Sequence, residues 1–348
     1  MAWNSWLTIR TLPSQQNEIE EDVSNPDTMV VNHTINGYTT DITETVAKVQ
    51  SRIVSVLVTI EDRTSTGSGV IYRANGNDCY ILTSYNVIQN ADKVEVRFDS
   101  GFNMDAEVVG TDEKTDVALL LVHPEFQTEP IVLGTAEVVK QGEYVIALGG
   151  RNPSTGSGTV GFGVVSFPAQ VYREYAEEEV GWIASTLFTD IYAVDSTSGG
   201  PLVNLNGDMI GLITRRATTS DSSPRLATAI SSDEVQIVID ELLDGGSVTR
   251  GFIGVIGRDV EKMELYEKSA YNLMLDNYDG VLITQVVEES PALVGGLQIG
   301  DIITQINDTE IHNLADLRQL TYTIQGGDTL SVQVNREGRT ETVSVIAQ

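Results

Sequence analysis

Asp195-Ser196-Thr197-Ser198-Gly199-Gly200-Pro201-Leu202-Val203 is the stretch on which the reading of this chain turns. A serine followed by two glycines and a proline predicts a tight turn, and residues 201–205 then run on as a short apolar strand. Asn206-Gly207 joins that run to Met209-Ile210-Gly211-Leu212, which is a hairpin signal. Outward from the turn, short strands are expected at residues 53–58, 69–72, 79–83, 93–98, 117–122, 144–148, 161–167 and 209–214. Strands this short, separated by Gly, Asn and Asp, predict an all-β barrel or sandwich rather than βαβ units.

Two helices are expected in this half. Ile42, Val46 and Val49 recur at spacings of three and four, which suits a short helix over 41–51. Val235, Val238, Ile239 and Leu242 share one face of a second helix over 231–243, with Gly245-Gly246 as its stop and as the domain boundary. Beyond it, strands at 252–256, 280–286, 301–306 and 329–336 surround a helix at 314–323. That is a small α+β module of ordinary domain size. The division reads as a flexible acidic tail over 1–40, a first domain over 41–246 and a second over 250–348.

At 348 residues the chain exceeds one compact core. A formal charge of −29, from 21 Lys+Arg against 50 Asp+Glu, argues against nucleic acid, which needs a basic face, and against an anionic membrane surface. The plainer meaning of such acidity is solubility. A single cysteine, Cys79, excludes an intrachain disulfide and a cysteine-based metal site; its apolar neighbours mark it as a buried small hydrophobe. No metal-ligand cluster appears and no cofactor is implied. No apolar run reaches the roughly 18 residues of a spanning helix, and Met1-Ala2-Trp3-Asn4-Ser5-Trp6 lacks the pattern of a signal peptide. The expectation is either a cytoplasmic chain or one preceded by an export segment.

Peptide hydrolysis by a serine requires the nucleophile, a base near neutral pKa, a carboxylate that orients the base, and donors for the oxyanion. Four stretches fit that demand in order. They are Thr66-Gly67-Ser68-Gly69-Val70-Ile71, Ile81-Leu82-Thr83-Ser84-Tyr85-Asn86-Val87-Ile88, Thr115-Asp116-Val117-Ala118-Leu119-Leu120, and the serine stretch itself. Together they resemble the trypsin-like proteases of the HtrA/Deg family. The resemblance implies an all-β trypsin-like double β-barrel from about residue 41, followed by an α+β PDZ domain. It also implies Ser198 as nucleophile position, Asp116 as orienting carboxylate, and an oxyanion hole from the N–H groups of Ser196 and Ser198.

Two departures cut into that chemistry. Where the family has its histidine this chain has Asn86, and a carboxamide is not basic. Loss of the base costs about 10⁶ in kcat. Where the family usually has glycine, this chain has Ser196, at a position that often needs an unusual φ; a lost oxyanion donor costs about 3–4 kcal/mol. An introduced substitution would account for Asn86 but for neither Ser196 nor Val194-Asp195, so the sequence reads as natural degeneration. None of the three histidines is placed to substitute: His33 lies in the tail, His123 at a strand end and His312 in the last module. With the base gone, Ser198 and Asp116 read most simply as parts of a tight turn and a backbone hydrogen-bonding site.

Arg250-Gly251-Phe252-Ile253-Gly254-Val255 resembles the PDZ carboxylate-binding loop, and Glu289-Ser290-Pro291-Ala292 and 296–303 are typical of the family's PDZ domains. The implied binding is β-augmentation: a peptide C-terminus lies beside Phe252, Ile253, Gly254 and Val255, with Leu317 and Thr321 among the candidates for the opposite wall. Leu317 and Leu320 read equally as core. The first functional expectation is a proteolytically inactive, peptide- or protein-binding relative acting through its PDZ domain. The second is an active ATP-independent endopeptidase of envelope quality control. The resemblance further implies peptide C-termini or unfolded segments as partners, trimers, and an extracytoplasmic or membrane-anchored location. Arg215 and Arg216 either line the relic pocket or face solvent.

Overall fold

The computed structural model describes residues 40–348 apart from 62, 153–155, 176–179, 215–225, 272 and 274–278. The expected tail, His33, Arg215 and Arg216 therefore lie outside the described residues. Helix α1 (Asp41–Val49) leads into seven strands: β1 (Ile53–Ile60), β2 (Arg63–Asn75), β3 (Asp78–Ser84), β4 (Lys93–Arg97), β5 (Asn103–Asp105), β6 (Glu107–Asp112) and β7 (Val117–Val122). One turn of helix, α2 (Tyr85–Ile88), follows β3. The strands pair in the order β5-β4-β1-β2-β3-β7-β6. β1 lies inside the sheet and is buried for six consecutive residues, which is why five of those six are apolar and the strand does not alternate.

Six further strands close a barrel: β8 (Tyr144–Leu148), β9 (Val160–Tyr175), β10 (Val180–Tyr192), β11 (Pro201–Val203), β12 (Met209–Thr214) and β13 (Leu226–Ser231), in the order β10-β13-β12-β11-β8-β9. The hairpin at Asn206-Gly207 forms as expected, with Gly207 at φ 83°, although Asn204 and Asp208 join the loop and close it by the Asn204 N–H to the Asp208 carbonyl at 3.0 Å. α3 (Ser232–Gly245) buries the four expected apolar residues. Its N-cap is Ser231, whose hydroxyl accepts from the Glu234 N–H, and Gly246 ends it in the left-handed conformation.

The last module holds β14 (Val255–Asp259), α4 (Leu265–Ala270), β15 (Val281–Val286), α5 (Pro291–Gly295), β16 (Ile302–Ile306), β17 (Thr309–Glu310), α6 (Leu314–Thr321), β18 (Thr329–Arg336) and β19 (Arg339–Ile346). Its strands run β14-β15-β16-β18-β19, with β17 on β16. One expected strand starts late. Phe252 to Gly254 is a loop, because Gly254 takes φ 82° and Phe252 exchanges backbone hydrogen bonds with Gln348 instead of with β15. Pattern reading also missed β5, β6, β10, β13 and β19; β5, β6 and β19 are only partly buried, and β13 is largely buried but mixes Ala, Thr and Ser with its two large apolar residues.

A buried polar cluster ties this module to the barrels. Arg250 grips Asp112 with both terminal nitrogens, at 2.8 and 2.5 Å, and its guanidinium lies over the Tyr322 ring. Tyr322 packs on the barrel core and its hydroxyl donates to Glu234, which also pairs with Arg318 of α6. Burial and the Glu234 charge push the Tyr322 hydroxyl far up, so it remains a donor. Asp112 and Arg250 are 7% and 3% exposed, so removing one partner strands the other away from water. Asp112→Ala is expected to cost about 3–5 kcal/mol in urea unfolding. A loss below about 1 kcal/mol, the scale of an exposed pair, would contradict this assignment.

Candidate active site

The serine turn is fixed by backbone, and glycine is needed at two places in it. A side chain at Gly200 would put its Cβ 2.0 Å from the Leu148 carbonyl oxygen, and Gly199 at φ 79° lies against the Ser68 carbonyl and the Thr83 hydroxyl. Gly199 N–H donates to Ile213 O, Ile213 N–H to Gly200 O, and Ser68 N–H to Ser198 O, all within 2.8–2.9 Å. The turn thereby clips β2 of the first sheet to β12 of the barrel.

Ser198 itself is 2% exposed and its Oγ has no hydrogen-bond partner among the described residues. Residues Asp195–Thr197 form a single 3₁₀ turn, so Ser196 does not take the positive φ that its sequence position suggested. The expected strain is absent. The turn has another effect, because the Ser198 N–H donates to the Asp195 carbonyl at 3.2 Å and is directed into the turn. Ser196 is held by both ends: its carbonyl accepts from the Ser68 hydroxyl, and its Oγ lies 2.9 Å from Thr159 Oγ1.

Asp116 sits at the end of the β6–β7 turn with φ 60° and no exposure. Its Oδ1 accepts from the Asn86 N–H at 2.7 Å, and its Oδ2 from the Ser84 hydroxyl at 2.7 Å and the Thr214 hydroxyl at 2.5 Å. The Asn86 carboxamide adds a further hydrogen bond. Asn86, on the exposed side of α2, thus meets Asp116 as an orienting partner would and brings no base to Ser198. Burial raises the Asp116 pKa despite the donors, since Thr214, Ser84 and Asn86 carry no charge.

The structure brings Asn86 and Asp116 into direct contact; Ser198 bonds to neither. His123 pairs with Asp78 at a strand end and His312 with Asp279, so neither serves this site. The Ser84 and Thr214 hydroxyls were not foreseen. Ser84 stands inside a quoted motif, but Thr214 lies 98 residues from Asp116 and carries no local signal.

In the last module, β14 pairs only with β15 among the described residues and leaves its other edge open beside α6. The N–H groups of Ile253 and Gly254 donate to nothing in the described residues, while Phe252 is 41% exposed. A Cβ on Gly254 would lie 2.1 Å from Ser290 Cβ. Leu317 is 7% exposed and belongs to the module's core, with Leu314 and Leu320 only partly buried against it. The Thr321 hydroxyl is turned back to the Arg318 carbonyl. Leu317 is therefore core first, and Leu314 and Leu320 are the more available apolar wall.

Residues 67–212 match the trypsin-like peptidase domain family and residues 251–346 the PDZ domain family. A probable periplasmic serine endoprotease, DegP-like, of Pseudomonas putida is 34% identical over 81% of this chain and 55% of its own length. The serine protease Do-like HtrA of Lactococcus lactis subsp. cremoris is 30% identical over 81% of this chain and 70% of its own length. The chain spans about half the length of the Pseudomonas relatives, 55% in each case. The solved structure of the HtrA-type protease AlgW with a tripeptide has the same fold, with a TM-score of 0.68 at 24% identity over 88% of this chain and 96% of that one. The chain belongs to the HtrA/Deg family of trypsin-like serine proteases with a C-terminal PDZ domain.

The Asp116 environment makes a pH prediction. A carboxyl with a raised folded pKa costs stability above that pKa and costs nothing once pH falls below the ordinary carboxylate range. Asp116→Asn is therefore expected to gain melting temperature relative to the parent as pH rises towards 7.5. That gap closes as pH drops towards 3.8, the ordinary value of the carboxyl. Thermal melts across that range measure it, and a gap that widened on acidification would reverse the sign.

Proposed function

We propose that this HtrA/Deg-family chain is a pseudoprotease: it binds extended peptides or unfolded protein segments through its PDZ groove without turning them over. The observation that carries this reading is Asn86, which occupies the base position and donates to Asp116 while Ser198 Oγ stays without a partner among the described residues. Without a base the serine keeps its proton at the moment of attack, and attack as a neutral hydroxyl is slow. The inward-directed Ser198 N–H supports the same reading, because a tetrahedral oxyanion needs that donor facing the substrate. Residues 41–246 then act as a scaffold and residues 250–348 as the binding module. Ser196 and Ser198 mark the relic oxyanion hole, and Phe252, Ile253, Gly254 and Val255 the peptide edge, faced by Leu314 and Leu320 of α6. Relatives named periplasmic support a place outside the cytoplasm, and the family resemblance supports trimers.

The test is hydrolysis of unfolded casein, together with mass detection of fluorophosphonate on Ser198. The unmodified chain is expected to show neither cleavage nor labelling. Asn86→His is expected to restore measurable labelling, and adding Ser196→Gly to raise the rate by about 10²–10³, the worth of one oxyanion donor. Cleavage by the unmodified chain that Ser198→Ala abolishes would overturn the proposal in favour of an active endopeptidase.

A further inference from the structure

The side chain of Ser196 has a partner that the serine turn itself does not supply. Its Oγ shares a hydrogen bond of 2.9 Å with the Thr159 hydroxyl, and Thr159 stands on a different stretch of chain, just before β9. That stretch is fastened to the end of β8, where the Gly149 N–H donates to the Thr159 carbonyl at 2.9 Å. The Ser196 carbonyl is fastened to the same place: the Ser68 hydroxyl donates to it and accepts from the Gly150 N–H at 2.8 Å. The two stretches pack without room for a further side chain, since a Cβ on Gly149 would lie 2.5 Å from the Ser196 carbonyl oxygen. These anchors bear on the peptide plane between Asp195 and Ser196, whose carbonyl takes the Ser198 N–H in the closed turn. To free that N–H the plane must rotate, and because a peptide is planar the rotation changes Asp195 ψ and Ser196 φ together. Ser196 φ is then driven towards positive values, which a side chain disfavours.

We infer that Thr159 is a positioning residue that latches this turn shut through the Ser196 hydroxyl, so that the relic site is disarmed a second time, separately from the missing base at Asn86. This rests on the pseudoprotease reading above and adds a lock that is worked from outside the site. A glycine at 196 would carry neither the hydroxyl tether nor the backbone penalty. Alanine there would lose the tether and keep the penalty, which separates the two effects.

Hydrogen–deuterium exchange of the Ser198 amide, read by NMR on the full chain, tests the latch without any turnover. In Thr159→Val, which keeps the side-chain shape and removes the hydroxyl, that amide is expected to exchange about fivefold faster than in the parent, the worth of one hydrogen bond. Ser196→Ala is expected to give the same factor, and the double variant no more than either alone, because all three remove one and the same pair. The Gly199 N–H, which donates to Ile213 O in the same seam, is expected to keep its rate. In the Asn86→His chain, fluorophosphonate labelling of Ser198 is expected to rise about fivefold on adding Thr159→Val. Unchanged Ser198 exchange, a Gly199 rate that rises equally, additive effects of the two substitutions, or flat labelling would each overturn the latch. The exchange rates do not depend on whether the unmodified chain cleaves casein, so a failed latch and a failed pseudoprotease reading are told apart.

Discussion

The buried Asp116 carboxylate is the joint on which the two barrels depend. Its donors come from two places far apart in sequence: Ser84 and Asn86, where β3 passes into α2, and Thr214 at the end of β12. One side chain therefore holds the first sheet, the helical turn and the second barrel in a single register. The left-handed backbone at Asp116 aims the carboxylate into this set, and the aspartate type tolerates that conformation better than most. In an active triad the same carboxylate would stabilise an imidazolium. Here it faces only neutral donors, so its burial is a cost carried for architecture.

The same economy of contacts reaches the PDZ module. Asp112, four residues before Asp116, accepts from the Thr115 N–H and hydroxyl as well as from Arg250. The turn that presents Asp116 is thus stiffened from the module that carries the peptide groove. Arg250, Tyr322 and Arg318 all come from that module, and their partners Asp112 and Glu234 from the barrels, so these charges balance across a seam in which Tyr322 also packs on the apolar core. Such a seam favours one docking geometry over many, because any slip leaves a charge unpaired away from water.

What was legible in the sequence was what is local. The Ser198-Gly199-Gly200 turn, the Asn206-Gly207 hairpin and the apolar face of α3 each declare themselves within a dozen residues, and each forms. The family resemblance placed Asn86 against Asp116, and the two do meet. What was not legible is set by distance or by compensation. Thr214 reaches Asp116 from 98 residues away, and Arg250 reaches Asp112 from 138. The strain expected at Ser196 disappears because a 3₁₀ turn offers ordinary backbone angles there, at the cost of directing the Ser198 N–H inward. Leu317 could be core or groove on spacing alone, and only packing decides it.

The turn around Ser198 has a consequence for how such sequences are interpreted. Everything the fold takes from that residue is main chain: its carbonyl receives Ser68, and the following glycines allow close passage of Leu148 and Ile213. The hydroxyl takes no part in holding the barrel. In this chain the Ser-Gly-Gly-Pro stretch is thus a record of how two sheets are sewn together, and the seam would hold whether or not the hydroxyl ever reacts.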